Sequence, residues 1–186
     1  MRVIAGSHRG RRLSGPRGAS LRPTSDKVRE ALFSILGTRV AGGRFLDLYA
    51  GTGAVGIEAL SRGVERVTFV ETNRSIVSLL RENLDACDFA ERAQVWVGPT
   101  ATFLTRHEWW DGPYSVVFAD PPYAARSEID VLAGLGQTGL LRHDAVIVIE
   151  QASLDESPER IGPAMLTRRY EYGDTALSLY HNVTQQ

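Results

Sequence analysis

A glycine-rich turn between a predicted strand and a predicted helix constrains the fold of this 186-residue chain most strongly. The strand is the apolar run 44–49, and Gly51, Gly53 and Gly56 follow it with the spacing G-x-G-x-x-G. This spacing permits a tight turn and close approach of a ligand to the backbone. Glu71 stands twenty residues after Gly51, where an acid accepts hydrogen bonds from ribose hydroxyls. The pattern therefore predicts a βαβ unit that binds a nucleoside-containing ligand.

The rest of the chain alternates predicted strands and helices, which is typical of a doubly wound sheet. Strands are also predicted at 66–71, 94–97, 115–119 and 145–150, and helices after the capping residues Thr24 and Ser25 and at 74–86. A polar connector at 151–165 leads to a predicted hairpin at 166–172 and 175–182. We therefore expect an α/β fold whose mostly parallel, seven-stranded sheet ends in an antiparallel hairpin.

The segment Asp120-Pro121-Pro122-Tyr123 follows a predicted strand and so lies where ligands of such a sheet bind. Two consecutive prolines remove two N–H donors and leave a stiff, extended turn. What remains is a carboxylate, backbone carbonyls and an aromatic ring, which together suit a planar ring that carries an amino group. This set predicts a nucleobase site. The alternative is a structural turn in which Asp120 caps the next helix.

Asp47 distinguishes between two ligands that the glycine pattern allows. It stands four residues before Gly51, where its charge would repel the pyrophosphate of a dinucleotide such as NAD. S-adenosylmethionine instead carries an ammonium group and a cationic sulfonium, both of which favour a nearby carboxylate. We therefore expect S-adenosylmethionine as the cofactor.

Basic residues are concentrated at the amino end of the chain. The first 25 residues contain six arginines and no acid, although the whole chain has a net charge of −1. Such an asymmetry favours a polyanionic partner, and Val3 and Leu13 flank a turn-rich segment that is compatible with a hairpin. We predict a basic, RNA-binding extension at 1–22 beside a main domain at 23–186; the alternative is a disordered tail. The candidate RNA contacts are Arg2, Arg9, Arg11, Arg12, Arg17, Arg22 and Thr24.

The composition excludes several other classes of protein. A hydrophobic content of 43% and a charged content of 23% are typical of a globular domain. The sequence shows neither an apolar run of membrane-spanning length nor the apolar core of a signal peptide. The single cysteine, Cys87, and four scattered histidines predict neither a disulfide nor a metal site. We expect a cytoplasmic monomer that binds no metal and no membrane.

Several segments together resemble the RsmD-type family of class I methyltransferases, namely 2–6, 9–13, 22–30, 47–63, Glu71 and 120–123. The resemblance implies methylation of a guanine N2 amine, at position 966, in 16S ribosomal RNA, as free RNA or in the assembling 30S subunit. It also implies cofactor contacts from Asp47, Tyr49, Gly51, Thr52, Gly53, Glu71, Thr100 and Asp120. Thr100 departs from the family, since it offers only a hydroxyl where an acid or amide often holds the adenine amine.

The chemistry of a guanine amine suggests roles for the Asp-Pro-Pro-Tyr segment. The amine is a poor nucleophile because its lone pair is delocalised into the ring. Hydrogen bonds to the Asp120 carboxylate and the Pro121 carbonyl would favour a tetrahedral nitrogen and stabilise the developing positive charge. Pro122 stiffens the turn, and Tyr123 would stack on the extruded base. Either Asp120 or water takes the final proton.

Other functions share part of this pattern. A DNA adenine-N6 methyltransferase uses a similar site but usually needs a separate base-reading domain. A protein glutamine methyltransferase generally has Asn in place of Asp120 and needs no basic arm. A non-catalytic RNA-binding assembly factor could keep the cofactor pocket as a scaffold only.

Overall fold

Strands and helices alternate through the main part of the chain, as the sequence predicts. The computed structural model describes residues 1–16, 25–122, 131–137 and 139–182. The strands are β1 (Arg44–Leu48), β2 (Arg66–Glu71), β3 (Ala93–Val97), β4 (Tyr114–Ala119), β5 (Leu141–Ala152), β6 (Arg160–Ile161), β7 (Ala164–Tyr172) and β8 (Thr175–Asn182). The α-helices are α1 (Asp26–Leu36), α2 (Ala54–Ser61), α3 (Arg74–Ala86) and α4 (Thr100–Leu104). The predicted site residues Arg17, Arg22, Thr24 and Tyr123 lie outside the described residues.

All of these strands form one sheet in the order β3-β2-β1-β4-β5-β8-β7-β6. The five strands from β3 to β5 are parallel to their neighbours, whereas β8, β7 and β6 pair antiparallel. The order reverses between β1 and β4, which is the kind of position where ligands of open α/β sheets bind. The doubly wound sheet with its terminal hairpin is thus confirmed. The connector predicted at 151–165 holds one further strand, the two-residue β6, whose Ile161 is buried against the sheet.

Helix α1 begins as predicted, because the Ser25 hydroxyl accepts a hydrogen bond from the Val28 N–H at 3.2 Å. The apolar spacing of its sequence predicts a buried face of Val28, Ala31, Leu32, Ile35 and Leu36, and the structure differs from it in two respects. Ala31 and Ile35 are only partly buried, whereas Phe33 and Arg29 are buried completely or almost so. The spacing of apolar residues along a helix does not predict a buried arginine. In the structure the amino-terminal segment covers Arg29.

Helix α2 is buried along its whole length, from Ala54 to Ser61. It lies tightly on β2, since a Cβ added to Gly56 would come within 2.2 Å of the Phe69 ring. This contact explains why the third position of the glycine pattern tolerates no side chain.

The amino-terminal segment forms the predicted short hairpin. Arg2 and Arg12 make an antiparallel bridge, and the N–H of Val3 donates to the carbonyl of Arg11 at 2.9 Å. Val3 and Leu13 are buried in the same core as α1 and α2. The described part of the extension, which we call the arm (residues 1–16), is therefore packed on the main body.

Candidate active site

The described carboxyl ends of β2, β1, β4 and β5 carry acids on one face of the sheet. They are Glu71, Asp47, Asp120 and Glu150. Each acid follows a buried core residue by two positions. These core residues lie on the side of the sheet that α1 and α2 cover, and they are Phe69, Phe45, Phe118 and Val148. Because side chains alternate along a strand, all four acids point to that same side. We call this group the acidic rim. Among the described residues no group of three or more acids, histidines or cysteines is arranged to hold a metal ion.

Asp47 is the most deeply buried acid of the acidic rim and is 1% exposed. Its Oδ2 accepts a hydrogen bond from the Gly56 N–H at 2.8 Å, so it fixes the first turn of α2. Burial raises the pKa of Asp47 well above its usual value, and the charges of Asp120 and Glu71 raise it further, against the effect of the Gly56 bond. A cation at the rim would relieve this repulsion, which suits the sulfonium and ammonium groups expected from the sequence.

The glycine turn adopts the backbone conformations that its sequence predicts. Gly51 and Gly53 have φ angles of +55° and +82°, which favour glycine, and Tyr49 also has a positive φ of +61°. A Cβ on Gly51 would meet nothing within 4 Å, so open space faces the backbone there. A ligand can therefore approach the main chain closely at this point.

Glu71 supports this turn from β2. Its Oε2 accepts a hydrogen bond from the Gly51 N–H at 2.9 Å, and its Oε1 accepts one from the Asn73 N–H at 2.8 Å. The carboxylate thus joins the glycine turn to the start of α3. Oε1 also accepts a hydrogen bond from the Thr72 hydroxyl at 3.4 Å. Oε2 can accept a second hydrogen bond, so the predicted ribose contact is compatible with this arrangement.

Asp120 follows the last residue of β4 and lies beside β5. Ala119 is paired with Ile149, so the next position along places Asp120 next to Glu150, which is 8% exposed. Burial, and then the charge of Glu150, raises the pKa of Asp120 to about 7. A carboxyl group of this kind exchanges its proton near neutral pH, as a general base must.

The remaining predicted cofactor residues occupy the same end of the sheet. Thr52 is 7% exposed, and its carbonyl accepts a hydrogen bond from Asn83 at 3.0 Å. Thr100 is the first residue of α4 and is 4% exposed. Pro121 is partly buried and Pro122 is exposed. The structure therefore brings the described candidates to one edge, while the role of each in binding stays a prediction.

The arm presents its arginines outward. Arg2, Arg9, Arg11 and Arg12 are all exposed. The backbone is held instead, since the carboxylate of Glu58 accepts hydrogen bonds from the Ile4 N–H at 2.7 Å and the Ala5 N–H at 2.9 Å. This attachment contradicts the alternative of a disordered tail for the described residues and keeps the four arginine side chains at the surface, with Arg11 in an ion pair with Asp88 at 4.0 Å.

Sequence reasoning missed the groups that hold the arm. Glu58 is fully buried, and Arg29 beside it is fully buried with its Nη2 donating to the Arg2 carbonyl at 2.6 Å. Arg62 also donates to Glu58, from Nε at 2.7 Å. A glutamate inside an otherwise apolar or small-residue helix, 54–61, was the available signal, because a charge is buried only when it is paired.

The comparisons with known proteins agree with this geometry. The family model described as conserved hypothetical protein 95 matches residues 1–181. The protein YlbH of Bacillus subtilis (strain 168) is 37% identical over 180 residues, which cover 97% of this chain and 98% of that protein. Ribosomal RNA small subunit methyltransferase D of Escherichia coli (strain K12) is 34% identical over 185 residues, covering 100% of this chain and 91% of that one.

A solved structure shows the same fold. The methyltransferase yhhF from Escherichia coli superimposes with a TM-score of 0.86 at 34% identity, covering 100% of this chain and 99% of that chain. The resemblance seen in the sequence is confirmed. The chain belongs to the conserved hypothetical protein 95 family, the RsmD family of class I methyltransferases.

Proposed function

We propose that this protein transfers a methyl group from S-adenosylmethionine to the exocyclic N2 of a guanine in small-subunit ribosomal RNA. Family membership and the relative named ribosomal RNA small subunit methyltransferase D support this reaction class. The observation that carries it is the placement of Asp120, a partly buried acid with a raised pKa, directly before two prolines on an acidic rim.

The residues at the edge of the sheet suit the cofactor. S-adenosylmethionine, when bound, supplies a methyl group on a positively charged sulfur. The acidic rim offers negative charge for such a cation, and the open backbone at Gly51 offers a place for close approach. Glu71, already fixed by the Gly51 and Asn73 N–H groups, keeps acceptor capacity for a ribose.

Asp120 carries the proposed chemistry at the amine. Its carboxylate and the Pro121 carbonyl would accept the two N2 hydrogens and so hold the nitrogen for attack. As positive charge develops on that nitrogen, the nearby carboxylate stabilises it. Because the pKa of Asp120 is about 7, the carboxylate can then take the released proton near neutral pH. Tyr123 would stack on the base, and Pro122 would keep the turn rigid.

The exposed arginines of the arm would bind the phosphate backbone of the RNA. The proposal extends to Arg17, Arg22 and Thr24, which lie outside the described residues and stand between the arm and α1 in the sequence. We further propose guanine 966 as the target, a monomer as the active form and the cytoplasm as the place of the reaction. No described helix has both the length and the apolar composition to cross a membrane.

A methyl-transfer assay tests the proposal. The protein is incubated with radiolabelled S-adenosylmethionine and one of four substrates: 16S ribosomal RNA, 30S subunits, double-stranded DNA or a protein extract free of RNA. We expect label only in the RNA or the subunits, as N2-methylguanine in a nuclease digest. Label in adenine of DNA, in protein or in no substrate would contradict the proposed function.

Two variants localise the activity. Asp120→Ala should abolish transfer and leave binding of S-adenosylhomocysteine within about threefold, because Asp120 acts on the amine. Asp144→Ala is the matched control, since this acid is exposed at the opposite end of β5. Equal turnover by the two variants would remove Asp120 from the reaction.

A further inference from the structure

Asn83 on α3 lies between the arm and the glycine turn and is 1% exposed. Its Oδ1 accepts a hydrogen bond from the Ser14 N–H at 2.7 Å. Its Nδ2 donates to two carbonyls, that of Ser14 and that of Thr52, each at 3.0 Å. Both amide hydrogens and the amide oxygen are therefore used, and one side chain joins two segments that are 38 residues apart in the sequence.

The two segments belong to different parts of the proposed site. Ser14 follows the buried Leu13 at the end of the hairpin that presents the arginines. Thr52 stands between Gly51 and Gly53, in the turn that faces the cofactor pocket. The contact is made to main-chain atoms on both sides, so a shift of either backbone would disturb the other.

The other end of the arm has its own attachment, to Glu58 on α2 through Ile4 and Ala5. That attachment reaches the middle of a helix and does not contact the glycine turn. In the described structure the direct hydrogen-bonded link between arm and turn therefore runs through Asn83. A buried amide with all of its groups satisfied favours one arrangement over others, because a shifted one would leave polar atoms unpaired.

We propose that Asn83 is a positioning residue that couples the two ligand sites, so that a cofactor bound at the glycine turn and an RNA bound on the arm strengthen each other's binding. This inference rests on the proposed function, which supplies the two ligands. A ligand that orders the turn also orders Ser14 through Asn83, and the second ligand then loses less conformational freedom on binding. Coupling of this kind is reciprocal between the two affinities.

The affinity for S-adenosylhomocysteine, measured by calorimetry with and without a saturating 16S ribosomal RNA transcript, tests the coupling. For the natural protein we expect the RNA to strengthen binding about fivefold or more. In Asn83→Ala, which loses all three hydrogen bonds, the RNA should strengthen binding of S-adenosylhomocysteine less than about twofold. Asn83→Asp keeps the size and the acceptor but loses both donated bonds, and there too the RNA should strengthen binding less than about twofold.

Glu82→Gln is the matched control, because it changes one charge at an exposed neighbouring position of α3. It should retain the natural coupling factor. Circular dichroism and a cooperative urea transition establish that each variant is folded; if Asn83→Ala is not, the comparison rests on Asn83→Asp. A natural protein without coupling, or variants that keep its full factor, would overturn the inference.

Hydrogen exchange gives a second readout that needs no RNA. S-adenosylhomocysteine should slow exchange of the amides at 11–14 in the natural protein and in Glu82→Gln, but not in Asn83→Ala. If the natural protein methylates RNA but S-adenosylhomocysteine leaves amide exchange at 11–14 unchanged, the inference is contradicted and the proposed function is not. Failure of methyl transfer with ligand-dependent protection of the arm intact would instead contradict the proposed function alone.

Discussion

Replacing Asp120 with asparagine is expected to stabilise the protein at alkaline pH while abolishing its activity. The pKa of Asp120 is raised from 3.8 to about 7 in the folded chain, first by burial and then by Glu150. A group of this kind costs stability once it is ionised, because the folded state holds the proton more tightly than the unfolded state does. The free energy of unfolding therefore falls as the pH rises from about 4 to about 7 and stays low above that.

The magnitude follows from the size of the pKa change. At about 1.4 kcal/mol for each pH unit, the rise from 3.8 to about 7 corresponds to about 4 kcal/mol against the charged form. Asp120 lies at the edge of the sheet and keeps some contact with water, which reduces the cost. We therefore expect Asp120→Asn to raise the free energy of unfolding by about 2 kcal/mol at pH 8 and by little at pH 4.

Urea unfolding of the ligand-free protein at several pH values between 4 and 8 measures this effect. The natural protein serves as the reference, so that contributions of other titrating groups largely cancel. Asp144→Asn is the control, because an exposed acid paired with Arg142 should contribute less than about 1 kcal/mol at any pH. A gain for Asp120→Asn that is the same at pH 4 and pH 8, or a loss at pH 8, would refute the reasoning.

Three further perturbations test other parts of the structure. Glu150→Gln removes a negative neighbour of Asp120 and should move the acidic limb of the methyl-transfer pH profile to lower pH; an unmoved limb would show that the two acids do not interact. Gly56→Ala should lower the free energy of unfolding by about 1–3 kcal/mol in urea, because its Cβ would overlap the Phe69 ring, and an unchanged midpoint would contradict that packing. Arg9→Ala should weaken RNA binding and reduce its salt dependence by about one phosphate contact without changing S-adenosylhomocysteine affinity; an equal loss for both ligands would argue against an RNA contact.

Local patterns were sufficient to predict most of the sheet. The strand at 44–49 and the glycine turn appear within a residue or two of their expected places, since a buried parallel strand and a G-x-G-x-x-G turn leave few alternatives. The helix at 74–86 matches its predicted bounds, because Asn73 caps it with a side-chain oxygen. The two-residue β6 was missed, since so short a segment between prolines carries no alternation.

The sequence predicted that Asp47, Glu71 and Asp120 lie at one edge of the sheet, but it predicted neither Glu150 beside Asp120 nor the contacts that hold these residues in place. Asp47 and Glu71 were expected to face a ligand, and the structure adds that both also hold the glycine turn through backbone N–H groups. The roles of Asn83 and Glu58 could not be read from the sequence, because each depends on residues at least 31 positions away. Periodicity reports which face of a helix is apolar, but it does not report which polar residue on that face finds a distant partner.

The way in which the arm is attached has a consequence for its evolution. Asn83 and Glu58 grip peptide groups, which every non-proline residue possesses, and so the docking places little demand on the identity of the side chains at the gripped positions. The exposed residues of the arm between these held positions can be replaced by other cationic residues, or by neutral ones, without loss of these backbone hydrogen bonds. Changes of the exposed Arg9, Arg11 and Arg12 would therefore alter the surface that the arm offers to a partner and keep its attachment to the main body.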